Sequence, residues 1–242
     1  MEILLLRFDA PLMSFGDVIV DHHNVTDRFP RLSLLTGLFG NALGYRHGDA
    51  AALERLQERI EFAACWDVEP TALVDYHTVD LGQLKMANKG WTTRGVAEHR
   101  EGGPGAKLGT HIRYRHYWAN GLMTVTVTLT GGAEPSVAAL AAALREPARP
   151  LFLGRKTCLP AAPLLREVVD APNVLAALQA MPRETGLRPD ASRSASACWP
   201  AHLGTALPSR VVSIYDQRDW RNQVHTGRRL RREGILPNAE AL

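Results

Sequence analysis

Apolar positions in the first 150 residues follow the periods of strands and helices in turn. Residues 3–8 form an apolar run that ends before Pro11 and predicts a short buried strand. Residues 122–130 give the clearest strand, because apolar side chains alternate there with threonines. Residues 62–68 and 73–78 also have the composition of extended chain.

Three amphipathic helices are predicted between these strands. The first follows Ser33 as its N-cap, carries an apolar stripe over residues 34–43 and stops at Gly44. The second begins after Asp49. The third opens at Ser136, next to a proline at a tolerated early position, and runs to about residue 145.

The order strand, helix, strand and again strand, helix, strand is typical of a ferredoxin-like or RRM-like unit. We therefore predict an α+β fold with such a core in residues 1–148. Residues 149–242 are expected to form an irregular, β-containing C-terminal region packed on the first domain.

A stretch from about residue 76 to 118 interrupts this rhythm and is too long for a routine connection. It is rich in basic residues, namely Lys85, Lys89, Arg94, Arg100, Lys107, Arg113 and Arg115. Aromatic residues lie among them: Trp91, Tyr114, Tyr117 and Trp118. Residues 102–109 are glycine-rich, so the stretch is interpreted as a basic arm with a hairpin-like tip.

The C-terminal part shows two further changes of composition. Residues 182–198 are small and polar, which predicts a mobile loop. After a strand-like segment at 211–215 comes what is interpreted as a basic tail, with Arg218, Arg221, Arg228, Arg229, Arg231 and Arg232.

Composition sets limits on the class of protein. The 242 residues are 45% hydrophobic and 22% charged, as in an ordinary globular protein, and the net charge is only +3. Three scattered cysteines without C-x-x-C spacing argue against a disulfide framework and a zinc site. No apolar run approaches membrane-spanning length, so a cytoplasmic location is predicted.

Motifs for catalysis are weak. The sequence has no G-x-S-x-G, no P-loop and no H-E-x-x-H motif, and its histidines lack the spacing of metal ligands. We therefore predict no metal, no cofactor and no enzymatic activity. Tyr76 and His77 keep one alternative open, a metal-independent endoribonuclease that uses them towards a 2′-hydroxyl.

The basic arm and the basic tail together favour binding to a nucleic acid, since phosphates need cationic donors and unpaired bases stack on aromatic rings. Either segment alone is equally compatible with a solvated basic face. A protein scaffold whose basic faces meet acidic partners is the third hypothesis.

Three stretches and one short signature resemble the CasD subunit family of type I-E CRISPR Cascade complexes. Residues 4–16, LLLRFDAPLMSFG, are similar to the family's opening strand and proline turn. Residues 27–49 resemble its Arg-Phe-Pro turn and Ser-capped helix, and residues 150–164 its Leu-Gly-Arg segment. Tyr76-His77-Thr78 is similar to a signature at the base of the family's thumb.

The resemblance implies an RRM-like fold in which the basic arm, about 76–118, is an inserted β-hairpin thumb. It also implies a non-catalytic subunit that binds and caps the 5′ handle of the CRISPR RNA and anchors the backbone and large subunits. Target DNA would be contacted indirectly, and no stand-alone homo-oligomer is expected. Relatives in the type I-C lineage cut RNA, which keeps the endoribonuclease alternative in view.

Candidate site residues follow from the basic clusters and their places on the predicted elements. The predicted RNA-binding residues are Arg28, Arg31, Ser33, Lys85, Lys89, Arg113, Arg115, Arg155 and Lys156. The first helix could also offer its N–H groups to a phosphate. The predicted protein-interface residues are Trp91, Tyr114 and Tyr117.

Overall fold

The computed structural model describes residues 1–19, 22–80, 110–182 and 194–237. The helices in these ranges are α1 Leu32–Ala42, α2 Ala50–Arg59, α3 Val137–Arg145 and α4 Val174–Ala180. The first strands are β1 Glu2–Asp9, β2 Leu12–Met13, β3 His23–Asn24, β4 Ile60–Val68, β5 Thr71–Asp80 and β6 Thr110–Ala119. The later strands are β7 Leu122–Leu129, β8 Leu165–Asp170, β9 Ser194–Pro200, β10 Ser209–Asp219 and β11 Val224–Pro237.

A seven-stranded sheet organises the molecule, in the order β10-β11-β9-β4-β7-β1-β8, and every pairing in it is antiparallel. A smaller sheet pairs β6 with β2, β3 and β5. The two long strands β5 and β6 are antiparallel and in register from Thr71 opposite Ala119 to Asp80 opposite Thr110.

The central strands are buried on both faces because helices cover the sheet on either side. Leu4 and Leu6 of β1 pack in the larger cluster with α1 and α3. Ile3, which points to the opposite face, packs in a second cluster with α4 and Trp199. This arrangement confirms the predicted α+β class and the three helices that were predicted from periodicity.

Two predictions for the C-terminal part were wrong. The predicted mobile loop overlaps β9 from residue 194 to 198, where Ala195 and Ala197 are buried and the strand pairs with both β4 and β11. These inward-facing positions were not recognised in the sequence because the segment consists mainly of small and polar residues. Residues 183–193 of that prediction lie outside the described residues.

The predicted basic tail is instead the hairpin β10–β11. Its arginines alternate between two faces, so Arg229 and Arg231 turn inward to carboxylates while Arg228 stays exposed. No helix in the described part of the chain is long and apolar enough to cross a membrane.

Candidate nucleic-acid interface

A cleft of about 850 Å³ lies between α1, the loop at 149–156 and the turn of the β10–β11 hairpin. Five of the residues that line it are basic, namely Arg46, Arg149, Arg155, Lys156 and Arg218. Two histidines, His47 and His225, also line it, and Asp17 is the one acidic residue among its described lining. The cleft is therefore the place where cationic side chains from distant parts of the sequence converge.

Small residues of α1 face this cleft. Ser33, Gly37 and Gly40 lie three or four residues apart, which places them on one side of the helix. A Cβ atom on Gly40 would lie 2.6 Å from Cδ2 of Leu53, so this glycine permits close packing of α1 against α2. At Gly37 the nearest atom, on the Trp220 ring, would be 3.7 Å away. α1 thus presents these three small residues to the cleft beside Leu34, Leu38 and Asn41.

The N-terminus of α1 differs from the prediction. Arg31 occupies the N-cap position, and Ser33 lies in the first turn without capping it. The carboxylate of Asp216 on β10 accepts a hydrogen bond of 2.8 Å from the Leu32 N–H. The prediction of Ser33 as N-cap was therefore wrong, since a long-range contact supplies the acceptor. An internal carboxylate already holds one of the N–H groups that were proposed for a phosphate.

Arg31 is buried in an ion-pair network rather than exposed to solvent. Its side chain contacts the carboxylates of Asp17 and Asp27. Asp27 also accepts a 2.8 Å hydrogen bond from Arg231. Nearby, Arg229 makes a forked contact with Asp216, which is fully buried. The network joins the entry of α1 to the C-terminal hairpin, and a phosphate would have to displace these carboxylates to reach Arg31.

Arg28 lies against aromatic rings. Its guanidinium carbon is 5.2 Å from the centre of the Trp118 ring and 5.7 Å from that of Trp66. The side chain also forms an ion pair with Glu69 and keeps about a third of its surface exposed. The structure places Arg28 outside the lining of the cleft.

Arg155 and Lys156 lie side by side on the cleft but behave differently. The guanidinium of Arg155 donates hydrogen bonds to the carbonyls of His116 and Asn24, at 2.9 and 2.8 Å, and lies over the ring of Tyr117. Arg155 thus holds its loop against the smaller sheet. Lys156 is exposed.

Gly154, just before this pair, is required by the fold itself. Its φ of +106° belongs to the region that favours glycine, and a Cβ atom there would lie 1.6 Å from the carbonyl oxygen of Ser14. This glycine therefore lets the backbone of its loop approach Ser14 closely.

The strands β5 and β6 carry the predicted residues Tyr76, His77, Arg113, Arg115 and Tyr114. Tyr76 and His77 are neighbours on a strand, so their side chains project to opposite faces of the sheet. His77 contacts the carboxylate of Asp75 at 2.5 Å, whereas the Tyr76 ring lies 5.3 Å from that of Tyr114. The structure does not bring the candidate catalytic pair together on one side.

Arg113 and Arg115 are two residues apart on β6, on the side opposite to Tyr114. Both are half-buried, and neither lines the cleft. Tyr117 is buried in the core, with 3% of its surface exposed, beneath Arg155. Lys85, Lys89 and Trp91 lie outside the described residues.

Several residues of the cleft were missed in the sequence. Arg46 and His47 fall within the stretch 27–49 but look like an ordinary turn after a helix. Asp49 accepts a 2.7 Å hydrogen bond from the backbone N–H of Arg46 and so fixes this turn. His225 reaches the cleft only because the hairpin folds back on α1, and no local signal predicts that.

The described residues offer little support for a reactive cysteine or a metal site. Cys65, Cys158 and Cys198 are buried as free thiols. Burial raises the pKa of Cys198 to about 12, so it stays protonated and a poor nucleophile at neutral pH. No group of three or more His, Cys, Asp or Glu side chains that could hold a metal ion occurs in this part of the chain.

The model of the CRISPR-associated protein (Cas_Cas5) family matches residues 3–232. The chain belongs to this family. The CRISPR system Cascade subunit CasD of Escherichia coli (strain K12) is 31% identical over 163 residues. That match covers 64% of this chain and 66% of CasD, slightly less than two thirds of the relative's length. The resemblance found in the sequence is thereby confirmed at the level of the family.

Two solved structures are similar to this Cas_Cas5 chain over most of its length. A chain of a CRISPR RNA-guided surveillance complex is 25% identical, with a TM-score of 0.66, over 98% of this chain and 90% of that one. A crystal structure of a Cas protein is 22% identical, with a TM-score of 0.63, over 98% and 95% of the two chains. The second likeness shows a shared fold.

Proposed function

We propose that this protein is a subunit of a CRISPR Cascade complex and that its cleft binds a single strand of CRISPR RNA at the 5′ handle. Membership of the Cas_Cas5 family and the likeness to a Cascade subunit and to a surveillance-complex chain support the assembly. In this proposal the protein caps the guide strand, contacts the backbone and large subunits, and reaches target DNA only through them, in a cytoplasmic ribonucleoprotein.

The observation that carries the proposal is the charge of the cleft. Its described lining has five Lys or Arg side chains and one carboxylate, that of Asp17, which is itself paired with Arg31. A single strand that neutralises such cations releases its own counterions, which favours binding at moderate salt. The open shape of the cleft between α1 and two loops suits an extended strand rather than a small molecule.

Within the cleft the cations divide into two groups. Arg149 donates to Asn41 Oδ1 at 2.7 Å, Arg155 to two backbone carbonyls, and Arg218 to Gln223 Oε1 at 2.7 Å. These three hold the walls in place and contribute charge. Arg46 and Lys156 are exposed, so we assign them the direct phosphate contacts. Ser33 offers a hydroxyl on the side of α1 that lines the cleft.

The remaining predicted residues keep narrower roles in the proposal. Arg28, Arg113 and Arg115 would meet the strand where it leaves the cleft, and Arg31 would act through the ion pairs that order the entry of α1. The thumb, about 76–118 with Lys85, Lys89 and Trp91, would rise from the pair β5–β6. Tyr114 stays a candidate contact for a neighbouring subunit, whereas the burial of Tyr117 favours a role in holding Arg155.

We also propose that the core is ferredoxin-like. Four neighbouring strands of the large sheet have the order β4-β7-β1-β8, and α1 and α3 pack in one cluster on the same face. When β1, β4, β7 and β8 are numbered 1 to 4 in chain order, as the strands of a ferredoxin-like unit, their order in the sheet is 2-3-1-4. The division into residues 1–148 and 149–242 stays a prediction, and β8, the fourth strand of this unit, comes from the second part.

An endoribonuclease remains the second candidate, because His77 and Asp75 form a close pair on β5. A carboxylate can orient an imidazole for proton transfer. Incubating the protein with repeat-containing precursor RNA in EDTA tests this function. Specific cleavage that is lost in His77→Ala would replace the non-catalytic proposal.

The direct test of RNA binding uses the double variant Arg46→Ala/Lys156→Ala. Because two phosphate contacts are lost, affinity for single-stranded handle RNA should fall, and the slope of log K against log salt should become shallower by about 1.4, roughly 0.7 for each contact. Filter binding over a series of salt concentrations measures both quantities.

Arg55→Ala/Arg166→Ala is the matched control, since it removes the same net charge from two exposed positions that do not line the cleft. Its slope should equal that of the wild type. If both double variants change the slope equally, the cleft is not the binding site and the proposal is wrong.

A further inference from the structure

Four aromatic side chains form a continuous row on one side of the smaller sheet, which we call the aromatic platform: Tyr76, Tyr114, His23 and His116. The rings of His23 and Tyr114 are stacked, with centres 4.6 Å apart and an angle of 7° between their planes. Tyr76 lies 5.3 Å from Tyr114 on its other side. Nδ1 of His23 is 3.4 Å from Nε2 of His116.

Strand geometry explains why the rings meet. Tyr76 on β5 stands opposite Tyr114 on β6, so their side chains share a face. His116 is two residues further along β6 and points the same way. His23 on the short strand β3 pairs with Tyr114 in parallel, which brings a third strand to the row.

The platform is open to solvent rather than part of the core. Tyr76 keeps 54% of its surface exposed. His23 is exposed, and Tyr114 and His116 are half-buried. Exposed cross-strand ring pairs add only modestly to the stability of a sheet. Four rings in one open row therefore provide more stacking surface than the strands need for their pairing.

The platform adjoins the cleft at the edge of the smaller sheet, although Arg155 itself packs over Tyr117, which faces away from the platform. Arg155 lines the cleft and donates to the carbonyls of His116 and Asn24, so it joins the strand of the platform to the basic wall. Asn24, next to His23, also lines the cleft. A strand whose phosphates lie on Lys156 could place its next bases against these rings.

We propose that the aromatic platform is a stacking site for unpaired nucleobases of the strand bound in the cleft. This inference rests on the proposed function, and it adds a second kind of contact to it. Stacking needs only the flat face of a base, so the site tolerates any base sequence, whereas the cleft recognises phosphates. The two contacts therefore differ in their response to salt and to removal of a base.

The test compares RNA with all its bases to RNA that has abasic sites at successive positions near one end. With the wild type, the abasic site at the stacking position should weaken binding by about tenfold, a typical effect of losing one stacked base. In His23→Ala/Tyr76→Ala the intact strand should already bind about tenfold more weakly, and the abasic site should then make no further difference.

Tyr215→Ala is the matched control, because it removes an exposed ring from β10, outside the platform and the cleft lining, and it should bind as the wild type does. The double variant should keep the wild-type salt slope, and its melting temperature should fall by only a few degrees, roughly what the loss of exposed cross-strand ring pairs predicts. A fluorescent 2-aminopurine at the same position should be quenched on binding to the wild type and not to the double variant.

The outcomes separate the two proposals. If RNA binds with the expected salt slope but abasic sites and the double variant have no effect, the stacking site is wrong while the cleft remains. If neither RNA is bound, the proposed function fails first. If the double variant binds RNA normally but no longer co-purifies with other Cascade subunits, the platform is a protein interface and the inference is overturned.

Discussion

At the scale of single residues, Asp216 shows how a distant carboxylate can replace a local helix cap. It is fully buried, accepts from the Leu32 N–H and forms a forked ion pair with Arg229. A buried carboxylate is tolerable only because both partners satisfy it. The sequence around Ser33 has the pattern of a local cap, but Asp216, which accepts the hydrogen bond from the Leu32 N–H, lies 184 positions further along the chain.

His225 gives a residue-scale prediction about pH. Partial desolvation, then the positive charges of Arg218 and Arg31, lowers its pKa below the ordinary value of 6.5, although Asp216 and a hydrogen bond with the Gln217 backbone act in the other direction. The lowered pKa favours the neutral imidazole in the free protein, whereas a phosphate in the cleft favours the protonated form. Binding should take up a proton, and RNA affinity should rise as the pH falls from 8 to 5.5.

One proton limits this rise to about tenfold per pH unit. His225→Gln should flatten the pH profile of the dissociation constant, measured by filter binding at constant salt. His202→Gln is the control, since this exposed histidine pairs with Glu61 and does not line the cleft. An unchanged profile in His225→Gln would show that the bound strand does not reach the hairpin turn.

At the scale of elements, the periodic segments were predicted well because their signal is local. The strand at 122–130, the three helices and the extended segments on either side of Pro70 all appear close to their predicted positions. α4 and β9 were missed, since their short apolar faces are completed only by packing against β4 and β7.

The candidate site was predicted only in part for the same reason. Ser33, Arg155 and Lys156 do line one cleft, as three of the predicted residues. Charge alone could not tell Lys156, which is exposed, from Arg31, whose carboxylate partners lie four and fourteen positions away. The sequence gives the charge of a side chain, but not the residue with which that side chain forms an ion pair.

The loop that carries Arg155 and Lys156 gives an element-scale prediction. In Gly154→Ala the new Cβ would meet the Ser14 carbonyl at 1.6 Å, at a φ of +106°. Backbone strain and overpacking together should lower the free energy of unfolding by roughly 2–5 kcal/mol. Urea denaturation measures this loss, and RNA affinity should fall with it because the loop must move.

Gly131→Ala serves as the control, because Gly131 also has a positive φ, +74°, but no atom lies within 4 Å of its added Cβ. It should lose only about 1–2 kcal/mol, the cost of a left-handed backbone. Equal losses in the two variants would mean that the contact with Ser14 does not constrain the loop.

At the scale of the whole molecule, one sheet joins the two parts of the sequence. β8 on one edge and β9 to β11 on the other both come from residues after 148, and they flank strands from the first part. The second hydrophobic cluster likewise combines Ile3 and Cys65 with α4. The two halves therefore share their cores.

A chain limited to residues 1–148 should accordingly fail to unfold cooperatively. Without α4 and β9 it exposes the apolar face around Ile3, Ala63 and Cys65, which the complete protein buries. Circular dichroism during urea denaturation should show a broad, shallow change, compared with one sharp transition for residues 1–237. A sharp transition for the shorter chain would establish residues 1–148 as an independent domain.

The cap that Asp216 places on α1 has a consequence for synthesis on the ribosome. The first helix emerges early, yet its carboxylate acceptor and the wall formed by Arg218 and Trp220 are translated about 184 positions later. Until then Arg31 lacks the order that the hairpin provides, and the cleft lacks one of its walls. Under the proposed function, the guide strand should therefore bind only after the nascent hairpin has left the exit tunnel, rather than during translation.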